Sequence, residues 1–73
     1  MKNMKISARN QIKGKIIRIE KGTVNAIVVI DIGGGNQLNS TISLDAVKEL
    51  DLKVGSEAYA IVKATSVMIG VAD

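Results

Sequence analysis

Apolar and polar positions alternate along much of the chain, and that alternation predicts its elements. Ile12, Gly14 and Ile16 alternate with Lys13 and Lys15, so residues from about Ile12 to Glu20 read as a strand with one polar face. Lys21-Gly22 supplies a turn signal. Between Thr23 and Ile32, the residues Val24, Ala26, Val28, Ile30 and Ile32 share one face, while Ile27 and Val29 fall on the other with Asn25 and Asp31. A strand that is apolar on both faces expects cover on both sides, here with another subunit as one source of it. Gly33-Gly34-Gly35-Asn36 is the strongest turn signal in the chain, because Gly and Asn tolerate positive φ.

A third strand is predicted over Gln37–Ile42. Ser43 then has the character of a helix N-cap, with Leu44, Val47 and Leu50 following at helical spacing and Asp45 complementing the dipole. Lys53-Val54-Gly55 makes another turn, a fourth strand is expected over Glu57–Lys63, and a fifth over Ser66–Val71. Three strands, a short helix and two more strands in one small domain suggest a mainly β fold. The expected architecture is a five-stranded OB-like barrel with one short helix between strands 3 and 4.

Size and composition add a second expectation, self-association. A chain of 73 residues buries only about 60% of the surface its unfolded form exposes, so a lone core is marginal. Disulfides are excluded by the absence of cysteine, and a zinc site is not expected without Cys or His. Apolar residues nevertheless make up 47% of the chain, nearly all aliphatic, with Tyr59 the only aromatic. Oligomerisation is the remaining way to cover them.

Charge and inventory narrow the chemistry. Ten Lys or Arg against seven Asp or Glu leave a net charge of +3, a mild bias towards anionic partners. No stretch resembles a secretory signal or approaches a membrane span, so a cytoplasmic protein with no membrane partner is expected. Without His or Cys the commonest general base and the best soft nucleophile are missing, and an enzyme is not expected. Nucleic acid is a natural partner for an OB-like barrel, but such barrels stack bases on aromatic side chains, and Tyr59 alone makes no platform.

A small oxyanion suits the residues better, since it needs inward hydrogen-bond donors and enough positive charge to offset its desolvation. Three clusters offer these: Ser7-Ala8-Arg9-Asn10, the helix entry Ser43–Ala46, and Lys63-Ala64-Thr65-Ser66. Each also has an ordinary reading: a loose terminus, a helix cap, a surface amine. Spacing does not show that the three converge.

Ile6-Ser7-Ala8-Arg9-Asn10-Gln11 followed by Gly14 resembles the opening signature of the molbindin, or Mop, family. Lys21-Gly22 with Val24-Asn25-Ala26, Ile42-Ser43-Leu44-Asp45-Ala46-Val47 with Leu50, and Ala60-Ile61-Val62-Lys63-Ala64-Thr65 are similar to its later segments. The likeness runs from about Ile6 to Val71, leaving residues 1–5 as an extension before a single domain over 6–73. The resemblance implies a hexamer of OB-like barrels that stores and buffers molybdate or tungstate between subunits, with no cofactor.

The positions implied to bind the oxyanion are Ser7, Arg9, Asn10, Ser43, Ala46, Lys63, Ala64 and Thr65. Many relatives carry Ser where this chain has Ala46, which removes one hydroxyl. Two alternatives stay open: an oligomeric interaction module with a degenerate oxyanion site, and a nucleic-acid-binding OB-like domain.

Overall fold

The computed structural model describes residues 5–73, so the expected extension over 1–5 lies outside the described residues except for Lys5. Its elements are β1 (Asn10–Lys21), β2 (Asn25–Gly33), β3 (Asn36–Ser43), the helix α1 (Leu44–Glu49) and β4 (Glu57–Val62). They form one antiparallel sheet in the order β3-β2-β1-β4. Long β1 is central to the assembly: its first half pairs with β4 and its second half with β2. The result is a curled sheet, a half-barrel with one short helix.

Local chemistry accounts for the connections. Gly34 and Gly35 both have positive φ and join β2 to β3 in a two-residue turn, with Gly33 paired to Asn36 and its N–H donated to Asp31 Oδ1. Ser43 caps α1 as its residue type implies, its Oγ accepting from the Ala46 N–H at 3.0 Å. The helix closes with the Leu52 N–H on the Val47 carbonyl and the Asp51 N–H on the Lys48 carbonyl, while Asp51 takes φ +51. This is the Schellman pattern, which needs a left-handed residue just past the helix end.

The core consists of Ile16, Ala26, Val28, Ile30 and Val47, with Ile19, Ile42, Leu44 and Leu52 packed around it. Ala26, Val28 and Ile30 therefore point inward as their alternation predicts. Val29, on the opposite face of β2, is buried as well, whereas Ile27 beside it is 40% exposed.

Gly14 passes close against β2. A Cβ there would run into Ile30 Cγ2 and lie 2.6 Å from the Asp31 carbonyl oxygen. Gly14→Ala is expected to destabilise the fold by about 1–3 kcal/mol, the usual cost of overpacking, read as a lower midpoint in a denaturant titration.

Two expectations are corrected. β1 does not alternate throughout: Ile16 pairs with Ile30 and Arg18 with Val29, so Ile17 is an extra residue at a bulge. The bulge resets the phase and turns Ile19 to the core, while Arg18 and Glu20 share the outer face and pair at 3.6 Å. There is also no fifth strand over Ser66–Val71. Ala64–Ser66 form a single 3-10 turn, and the residues after it have no regular structure. Among the described residues the sheet has four strands, because that last segment finds no backbone there to pair with. Val67 keeps extended dihedrals, but Met68 is 91% and Ile69 88% exposed.

Candidate functional site

Two of the three candidate clusters meet. β1 begins at Asn10 and β4 ends at Val62, and these two residues are Cα partners in the antiparallel ladder. The chain just before β1 and the chain just after β4 therefore leave the sheet side by side. Ser7, Ala8 and Arg9 from the first, and Lys63, Ala64 and Thr65 from the second, line one shallow hollow of about 350 Å³ with Ile6 and Ile61. Both cations of the hollow, Arg9 and Lys63, are exposed and have no ion-pair partner among the described residues.

Each flank is shaped by a few contacts. The 3-10 turn is closed by the Ser66 N–H on the Lys63 carbonyl at 2.9 Å. Asn10 sits at the rim, and its Nδ2 donates to the Val62 carbonyl at 3.3 Å. Gln11 Nε2 donates to the Ala8 carbonyl at 3.1 Å. Gln11 stands in the signature that carries the family resemblance but was not among the expected site residues, and its hydrogen bond is what draws it to the site.

The third cluster lies elsewhere. Ser43 pairs with Asn25 at the far end of β2, next to where β1 finishes opposite Ala26. β1 has 12 residues. At about 3.3 Å per residue its ends are roughly 36 Å apart along the strand, against a longest molecular extent of 39 Å. Within one chain, Ser43 and Ala46 are thus at the opposite end of the sheet from Arg9 and Lys63. The helix entry is also less open than its sequence suggests, because α1 has only six residues and the Ala46 N–H is already taken by Ser43 Oγ. The Ser43 hydroxyl proton is left available for a further acceptor.

Elsewhere on the surface, Lys13 pairs with Glu57 at 3.2 Å. The hydrogen bond to that carboxylate, and then its charge, raise the Lys13 amine above its ordinary value. This pair lies outside the hollow. Among the described residues, no helix is long and apolar enough to cross a membrane.

A small curled antiparallel sheet with one short helix defines an OB-like domain, and comparison with known proteins places the chain among such domains. Residues 6–69 match the TOBE domain family. A Haemophilus influenzae protein named "Probable molybdenum-pterin-binding protein" is 76% identical over 68 residues, covering 93% of this chain and 99% of that protein. The solved structure of MopII from Clostridium pasteurianum superimposes with a TM-score of 0.85 at 55% identity, over 92% of this chain and all of that one. The structure of a molybdate-binding protein from Sporomusa ovata gives a TM-score of 0.86 at 41% identity, over 93% of this chain and 100% of the other. The chain belongs to the TOBE domain family and, within it, to the molbindins.

Proposed function

We propose that this chain binds molybdate, or tungstate, in the cytoplasm as a homo-oligomer, storing and buffering the oxyanion without turnover. The observation that carries the reading is the single hollow in which Ser7, Ala8 and Arg9 meet Lys63, Ala64 and Thr65. Two cations beside hydroxyls and backbone N–H groups are what a tetrahedral dianion needs to offset its lost hydration. The names of the relatives point the same way.

The separation of the half-sites supports binding between subunits. One chain holds Arg9 and Lys63 at one end and Ser43 and Ala46 at the other, so a site using both ends takes one from each of two copies. A twofold pair does this twice, since an isologous contact repeats itself about its axis. Exposed apolar residues supply a reason to associate: Met68, Ile69 and Val71 have almost no cover in the single chain. A trimer of such pairs is the hexamer that this reading expects.

Calorimetric titration with molybdate in sulfate-free buffer, with the oligomer mass measured in parallel, tests the proposal. Saturable tight binding by a hexamer, with sulfate competing poorly, is the expected result. An intact hexamer that binds nothing would leave an assembly module with a degenerate site.

The Ser43 end has its own test. Ala46 is half-buried one turn into α1, and Ala46→Ser would add a hydroxyl there. Affinity for molybdate is expected to rise roughly three- to tenfold, the contribution of one added hydrogen bond. No gain in the titration would count against Ala46 facing the anion.

A further inference from the structure

We propose that the side-chain amides of Asn10 and Gln11 are a positioning clamp for the two cations of the hollow, an inference that rests on the oxyanion reading above. The Gln11 amide holds the Ala8 carbonyl and the Asn10 amide holds the Val62 carbonyl. Those two carbonyls belong to the peptide units that immediately precede Arg9 and Lys63. A peptide unit is planar, so fixing its carbonyl fixes the N–H of the next residue, which points the opposite way, and the direction in which that residue leaves. Two neighbouring residues on β1 thus set the placement of both cations at once.

The clamp matters most on the Arg9 side. Residues 5–9 lie outside the strands, and among the described residues no turn or loop backbone hydrogen bond involves them. Lys63, by contrast, follows directly on β4 and is closed from the other side by the Ser66 N–H. Among the described residues, Gln11 Nε2 therefore makes the polar contact that ties the Ser7–Arg9 segment back to the sheet. Asn10 works in the same way, as an anchor for the end of β4, with one amide hydrogen committed to Val62.

Held donors keep a set spacing, and spacing is what separates a larger tetrahedral anion from a smaller one of equal charge. A loosened Arg9 segment can close around sulfate, which a clamped one cannot do without losing contacts. The clamp therefore governs selectivity as well as affinity.

Gln11→Leu removes the donor at nearly constant size on an exposed side chain. Its molybdate dissociation constant is expected to rise roughly three- to tenfold, the scale of one neutral hydrogen bond. The preference for molybdate over sulfate is expected to fall by a similar factor, while melting temperature and oligomer mass stay at the wild-type values. A merely structural residue would shift the melting temperature and leave the preference alone, and that result overturns the inference. So does an unchanged affinity with an unchanged preference. Should Gln11→Leu prove unstable, Gln11→Met, of matching length and also without a donor, carries the same test. Wild-type protein that binds no molybdate would instead overturn the oxyanion reading itself, which keeps the two failures apart.

Discussion

Lys63→Ala is expected to lower molybdate affinity by more than one charged hydrogen bond contributes, that is, by more than roughly 1.5–3 kcal/mol. Lys63 stands at the end of β4, directly after Val62, and lines the hollow opposite the Ser7–Arg9 segment. Its side chain and that of Arg9 are the only cations among the residues lining the hollow. A dianion enclosed there is balanced by both. Removing one deletes a charged contact and, in the proposed site between subunits, also leaves the anion underneutralised where water is restricted, so the two losses add. Equilibrium dialysis measures the change directly. Unaltered binding would remove Lys63 from the site.

The second large effect is expected from a residue outside the hollow. Ile69 is 88% exposed in the single chain, next to Met68 at 91%, in a segment with a strand-like sequence and no partner strand. If the assembly buries this segment, Ile69→Glu places a carboxylate in an apolar contact without a partner, and the oligomer should fall apart. Light scattering coupled to size-exclusion chromatography would then give the mass of the monomer. Molybdate binding should be lost in the same variant, although Arg9 and Lys63 are untouched, because the Ser43 end of a second copy is no longer present. An intact hexamer would place the segment outside the interface. A monomer that binds as tightly as wild type would show that one chain suffices for the site.

The names of several relatives join molybdenum to a pterin. A pterin is a flat heteroaromatic ring, and proteins commonly hold such rings by stacking on aromatic side chains. Tyr59 is the only aromatic residue of this chain. It lines two other hollows, of about 330 and 220 Å³, with Ile30 and Ile61, and it is absent from the residues lining the Arg9–Lys63 hollow. The polar side chains gathered in that hollow, Ser7, Arg9, Lys63 and Thr65, are hydroxyls and cations, which supports the proposed reading of a bare oxyanion as its ligand.

Much of the architecture was legible in the sequence because it depends on neighbours along the chain. A period of two is visible wherever one face of a strand is buried, and so β2, β3 and β4 lie within a few residues of their expected limits. The glycine turn and the Ser43 cap were legible for the same reason, since positive φ and an N-cap hydroxyl are requirements of single residues. The family resemblance also named the residues of the hollow, but composition and spacing alone left their meeting undecided.

What tertiary structure decided are relations between distant residues. The bulge at Ile17 lies in the β1–β2 ladder, just past the last residue of β1 that pairs with β4, and its own sequence, an unbroken Ile-Ile-Arg-Ile, carries no mark of it. The fifth strand looked like the others by pattern, yet a strand exists only where another backbone accepts its hydrogen bonds, and the described residues offer Ser66–Val71 none. The meeting of Ser7–Arg9 with Lys63–Thr65 follows from the pairing of Asn10 with Val62, whose side-chain contact spans 52 positions of sequence. Local chemistry determined the pieces of this protein. Which piece stands beside which was decided by the antiparallel ladder, because hydrogen bonds between distant strands leave no local periodicity behind.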